Sequence, residues 1–205
     1  MASTKLNIVK GKTLAQVIRW ETKPVVRKPI TAIDLTTGAP RIEASGHGCP
    51  NGWRGFVFGV KGTKELNVDD PDSVASSDYH EVTVIDANHI EFNEINAANF
   101  TNYQAGGFFA YNSPKDLTGY SARVKIKDSI GGSVLLSTEA ADSPKNLITA
   151  TVDNTAKTIT ISISAATTAA IDWSEAVWEV EMVNGAIVEP LIPPSTVTVT
   201  DEVVT

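Results

Sequence analysis

The segment Tyr120-Ser121-Ala122-Arg123-Val124-Lys125-Ile126-Lys127 alternates without interruption between apolar and polar side chains. Tyr120, Ala122, Val124 and Ile126 share one parity, while Ser121, Arg123, Lys125 and Lys127 share the other. Successive side chains of an extended chain point to opposite faces, so a period of two sets the apolar group against a core and the charged group in water. Thr158-Ile159-Thr160-Ile161-Ser162-Ile163 repeats the pattern, with isoleucines on one face and hydroxyls on the other. These two stretches decide for strands.

The turn chemistry around them agrees. Asp153-Asn154 stands between the strand-like runs Leu147–Val152 and Thr158–Ile163, a hairpin with a slightly longer loop. Gly131-Gly132 separates Ile126 from Val134-Leu135-Leu136 as a second hairpin. Asn184-Gly185, between Ala176–Met182 and Ala186–Val188, is the strongest two-residue hairpin signal, because the favoured turn needs positive φ at both positions. Only the alanine-rich Ser164–Ile171 reads as helix, with Ser164 placed to cap it and Trp173 to pack its far end onto a sheet.

Composition widens this to the whole chain. Val, Ile and Thr dominate, Leu is scarce, and Gly, Pro, Asn and Asp break the runs every eight to twelve residues or so. The 205 residues suit one large domain or two small ones, and 42% hydrophobic residues suffice for a packed core. The net charge of −7 comes with no basic stripe of the kind that neutralises phosphates, so nucleic-acid binding is not expected. Arg123, Lys125 and Lys127 read as the exposed face of a strand. Cys49 is the one cysteine, which leaves no intrachain disulfide framework. No signal-like stretch follows Met1 and no long apolar run occurs, so neither secretion nor membrane spanning is expected.

The middle of the chain differs in texture. From Ile30 to about Tyr111 it is rich in Gly, Asn and Asp, with strand candidates at Ile30–Leu35, Arg41–Ala44, Arg54–Val60, Glu81–Ile85, His89–Phe92 and Gly107–Ala110. Pro24 and Pro29 precede it and Asn112-Ser113-Pro114 follow it, marking two seams around a separate small β domain. Asn67 to Tyr79 is its long acidic loop.

Two sets of residues resemble known families. Gly11-Lys12-Thr13-Leu14 through Val17-Ile18-Arg19-Trp20, Asp116-Leu117-Thr118-Gly119-Tyr120 running into Lys127, Thr158–Ile163, Ala169-Ala170 and the strand around Val177–Val183 resemble the immunoglobulin-like amino-terminal domains of phage baseplate upper proteins. The Asp116–Tyr120 turn is the sharpest part of that likeness. Ile30–Ile33, Gly46-His47-Gly48, Gly52-Trp53, Gly59–Gly62, Glu65–Asn67, Val84–Asn88, Ile90–Phe92 and Tyr103–Gly107 resemble the FCCH domain of ubiquitin-activating enzyme, a small β module that recurs in phage proteins. This second resemblance implies no ubiquitin chemistry. Together they imply an all-β fold: an immunoglobulin-like β-sandwich formed by residues 1–28 and 112–205, interrupted by a small β-barrel-like domain at 29–111. Insertion at a hairpin tip is tolerated where the ends lie close together. A plain tandem of two domains is the alternative.

Candidate chemistry is sparse. Gly46-His47-Gly48-Cys49-Pro50 reads as a tight turn; a metal site would need further ligands, and His80 and His89 lack companions at a recognised spacing. Cys49 as a nucleophile would need a base and an oxyanion hole, which nothing nearby supplies. Asp69, Asp70, Asp72 and Asp78 lack the glycine and terminal glutamate of a helix-loop-helix calcium site, so the loop at 69–78 reads as solvated, with a bound cation left open. Glu175, Glu179 and Glu181 raise a glycosidase pair, but Glu179 and Glu181 fall on the solvent face of a strand. No cofactor is expected.

Binding surfaces are the better-supported expectation. Trp20, Trp173 and Trp178 read as core. Phe108 and Phe109, consecutive on a strand, must face opposite sides, so one is exposed or covered by a partner. Trp53, Phe108, Phe109, Val197 and Val199 are the interface candidates, the last two because the tail from Pro193 to Val204 either closes its own sandwich or pairs along a neighbour's edge. The resemblance implies a tailed-phage virion component joined to other phage structural proteins as a homo-oligomer, with a trimer as first expectation. A host-recognition module using Trp53 and Tyr103 against a glycan is the alternative, and a hydrolase comes third.

Overall fold

A computed structural model describes residues 5–202. Val203 and Val204 of the expected terminal strand lie outside the described residues. The chain divides into two units, one built from the chain up to Trp20 and from Asp116 onward, the other from Glu21–Lys115. The first opens with β1 (Leu6–Val9) and β2 (Leu14–Arg19). The second holds β3 (Glu21–Pro29), β4 (Ala32–Asp34), β5 (Arg41–Glu43), β6 (Arg54–Phe58), β7 (His80–Glu81), β8 (Thr83–Val84), β9 (His89–Glu91) and β10 (Phe108–Pro114). The chain returns to the first with β11 (Ser121–Lys127), β12 (Val134–Ser137), β13 (Ile148–Asp153), β14 (Thr158–Ile163), α1 (Ala165–Ala169), β15 (Glu175–Asn184) and β16 (Ile187–Thr200).

The first unit is a β-sandwich. A five-stranded sheet in the order β1-β16-β15-β11-β12 packs its inner face on a three-stranded sheet in the order β13-β14-β2. Alternation fixes which side chains enter the core: Val124 and Ile126 from β11, Ile159, Ile161 and Ile163 from β14, and Trp178, Val180 and Met182 from β15 are all buried. A one-residue slip would turn all of them to water, so the register is strongly specified. It sets Val124 opposite Val180 and Ile126 opposite Trp178. The three hairpins join β11 to β12, β13 to β14 and β15 to β16. In the last, Asn184 pairs with Ile187, so the two turn residues are Gly185-Ala186 and not Asn184-Gly185, and only Gly185 takes a positive φ. Trp20 meets Tyr120 edge-on at 5.5 Å between ring centroids, and Trp173 packs half-buried against the same core. The Ser164 hydroxyl caps α1 by accepting from the Thr167 N–H at 3.1 Å.

In the second unit, sheets in the orders β3-β10-β6-β7 and β4-β5-β9-β8 flank a core that includes Ile42, Trp53, Phe92 and Phe109. Its seams fall at Trp20/Glu21 and Lys115/Asp116, not at 28/29 and 111/112. The reason is the pairing of β3 with β10 from Pro29 opposite Phe108 to Glu21 opposite Pro114, which draws residues 21–28 and 112–114 into this unit. The prolines misled because β3 is an edge strand, where a missing N–H costs no ladder bond, and Pro24 sits where the register shifts. Glu21 and Pro114 are therefore neighbours, so the second unit begins and ends at one place.

Candidate interaction surfaces

β10 presents Phe108 and Phe109 to opposite faces of its sheet. Phe109 is fully buried, whereas Phe108 is 40% exposed. Antiparallel pairing sets Phe108 opposite Phe58 of β6, and the two rings stack at 5.3 Å with 20° between planes. The Arg27 guanidinium lies 5.4 Å from the Phe58 ring centroid, and its Nη2 donates to Asp72 at 2.7 Å. Two stacked rings, a cation and a carboxylate thus form one accessible patch. Such a patch can take a planar or apolar ligand surface by stacking and orient it through charge.

The other interface candidates are placed differently. Trp53 is fully buried, with its indole N–H donating to the Asn112 carbonyl at 2.9 Å, so it is a core residue and offers nothing to a partner. Tyr103 is half-buried and donates its hydroxyl to the Ile30 carbonyl at 2.9 Å. Val197 is fully buried in the interior strand β16, opposite Leu6 of β1 and Ala176 of β15. Val199 is half-buried against the same core, opposite Ile8. Of its two expected uses, the tail takes the first and closes its own sandwich. Phe58 and Arg27 were not singled out from sequence, because only the β6–β10 register brings them beside Phe108.

The titratable groups hold the fold together. His47 Nδ1 accepts from the Cys49 N–H at 3.0 Å, and its Nε2–H donates to the Asp86 carbonyl at 2.8 Å, which fixes the tautomer. Burial pushes the Cys49 thiol far above its usual range, so it stays protonated and is a poor nucleophile. Asp86 is held below the usual carboxylate range first by the Asn88 N–H and then by His89, closing the turn before β9. His80 pairs with Glu94 at 2.9 Å. In the acidic loop, Asp70 accepts from the Asp72 N–H at 3.0 Å while Asp72 engages Arg27. Among the described residues no group of three or more His, Cys, Asp or Glu side chains converges as a metal site would need.

The outer face of the five-stranded sheet is a charge ladder. Arg123 Nε donates to Glu181 at 2.8 Å, and Lys125 Nζ lies 2.6 Å from Glu139 and 3.1 Å from Asp142. The pairs raise both cations above their usual values, Arg123 chiefly through Glu181 and Lys125 chiefly through Glu139. The outer face of the three-stranded sheet is the opposite in character. Ala15, Val17, Thr149, Thr151, Thr160 and Ser162 share two rows of it, without a charge.

The geometry defines an all-β protein whose accessible features are sheet faces, an aromatic patch and strand edges. No protein-family model, curated protein or solved structure matches the chain.

Proposed function

We propose that this chain is a structural component of a tailed-bacteriophage virion, acting through protein–protein assembly at the tail, baseplate or collar and catalysing no reaction. The observation that carries the reading is the sandwich split between β2 and β11, with a contiguous β unit set between them. The resemblances to a baseplate-type immunoglobulin-like domain and to an FCCH-type module imply that arrangement. The groups that could do chemistry add support. Cys49 is buried and protonated, His47 is bonded at both ring nitrogens, and Glu181 pairs with Arg123. Purified particles carrying this chain, located by mass spectrometry and by reconstruction of the virion, are the expected result. Its absence from particles, together with substrate turnover by the purified protein, would end the proposal.

A second reading, host-surface recognition, is favoured by the stacked Phe58–Phe108 pair beside Arg27 and Asp72. Phe108→Ala then leaves particle assembly intact and lowers adsorption to host cells. Equal adsorption by variant and parent particles removes this reading.

A further inference from the structure

Among the described residues eight strands form sheet edges, and an edge with open main-chain groups pairs with other chains unless it is short, charged, broken by proline or covered. Seven of the eight have such protection. β7 and β8 are two residues long and β4 is three. β3 carries Pro24 and Pro29 with Lys23 and Lys28. β1 has four residues and is followed by the Lys10–Asp201 and Lys12–Glu202 ion pairs. β12 is covered by the segment holding Lys145, whose carbonyl accepts from the Ser137 N–H at 2.8 Å and whose ammonium donates to the Val134 carbonyl. β2 folds the Gln16 amide back onto the Val17 carbonyl at 3.3 Å, which occupies a main-chain acceptor in the middle of the strand.

The eighth edge is β13. Its six residues contain no proline and no lysine, and its one charge, Asp153, is the last residue. β13 pairs with β14 on one side. Among the described residues no side chain bonds the main chain of Ile148–Val152. An open groove of about 440 Å³ flanks its first half, between Ile148–Ala150 and the nearby β11, and is lined across from them by Ser121, Ala122, Arg123, Thr138, Glu139 and Val183.

The occupant is indicated by the strand itself. Ile148-Thr149-Ala150-Thr151-Val152 has the same character read in either direction: β-branched apolar, threonine, alanine, threonine, β-branched apolar. A two-fold contact requires that self-complementarity, because each residue meets its counterpart's pattern reversed. An axis through Ala150 sets Ile148 opposite Val152 of a second copy, Thr149 opposite Thr151, and Ala150 opposite Ala150. Every opposed pair from Ile148 to Val152 then shares a parity, so the apolar residues stay on the core side and the hydroxyls outside, and none of the five is charged. We infer that the β13 edge pairs antiparallel with β13 of a second copy of this chain, joining two three-stranded sheets into one of six strands. This contact stands on the edge alone and is separate from the virion reading and from the threefold symmetry expected with it.

A single edge contact buries less than the roughly 1,000 Å² of a stable interface, so the dimer is weak in dilute solution, with a dissociation constant on the order of 0.1–1 mM. The test is sedimentation equilibrium of the full chain across that range, with two surface-charge variants. Thr149→Asp with Thr151→Asp places carboxylates directly opposite one another across the axis and raises the dissociation constant roughly tenfold. Thr149→Lys with Thr151→Asp places opposite charges there and restores or tightens association. Both positions are exposed, so folding is kept, and circular dichroism checks it. Ala150→Cys adds a test of register. Opposed Cα atoms of an antiparallel pair lie about 4.5–5.5 Å apart, within disulfide reach, so mild oxidation yields a covalent dimer that the exposed control Ala15→Cys does not. A native chain monomeric to about 1 mM, two charge variants that associate alike, or equal cross-linking by the control would each overturn the inference, leaving the virion reading to its own test.

Discussion

The Tyr111 hydroxyl donates to the main-chain carbonyl of His47 at 2.6 Å, pinning β10 to the Gly46–Pro50 turn from inside the second unit. Burial, with the Cys49 sulfur nearby, pushes Tyr111 up to about 12 from its ordinary 10, and burial also raises Cys49 above its ordinary 9.0. The folded state holds both protons more tightly than the unfolded chain. Stability is therefore full below about pH 9 and falls as pH rises toward 12, since the unfolded chain releases protons first. Thermal melts between pH 7 and 11 should show that decline. Tyr111→Phe should cost about 1 kcal/mol at neutral pH and flatten the alkaline slope.

Phe108 and Phe109 should separate cleanly on mutation. Phe109→Ala empties a fully buried site and is expected to cost about 3–5 kcal/mol in denaturant titration. Phe108→Ala loses a stacked, partly exposed ring and should cost about 1 kcal/mol.

The charge ladder should matter little for stability. Arg123 and Glu181 are each about a third exposed, so Arg123→Ala is expected to change stability by less than about 1 kcal/mol, and less again in high salt. Ile126→Ala, on the inner face of the same strand, should cost about 2–5 kcal/mol. Urea titrations at low and high salt distinguish the two.

Gly55 lies inside β6 with no positive φ, so its reason is space and not backbone freedom. A Cβ there would meet the Phe109 ring at 2.4 Å and the Ala110 carbonyl at 2.9 Å. Gly55→Ala is expected to destabilise by about 1–3 kcal/mol, and Gly55→Ala combined with Phe109→Leu by less than the sum of the two.

The local grammar of the sandwich was legible. Alternation in β11 and β14 and the Ser164 cap each depend on neighbours in sequence, and each is found where the residues put it, while the β15–β16 turn falls one residue further on, at Gly185-Ala186. What depends on distant pairing was not. Trp53 looked available because nothing local shows that its indole reaches Asn112, and Val197 looked like an edge because its neighbour Leu6 lies at the other end of the chain. The seam at Glu21 was hidden by prolines that an edge strand tolerates. Phe108 could be expected to face away from Phe109, but its partner Phe58 is set only by the β6–β10 register.

The parallel pairing of β1 with β16 has a consequence for biosynthesis. Leu6–Arg19 leaves the ribosome before Glu21–Lys115, yet its partners in β14 and β16 are translated only after that segment. Glu21–Lys115 is contiguous and can complete its own contacts in the interval. During translation the nascent chain therefore carries a finished module behind two waiting strands, and a ribosome stalled before Thr158 releases Leu14–Arg19 with its hydrogen-bonding partner still unmade.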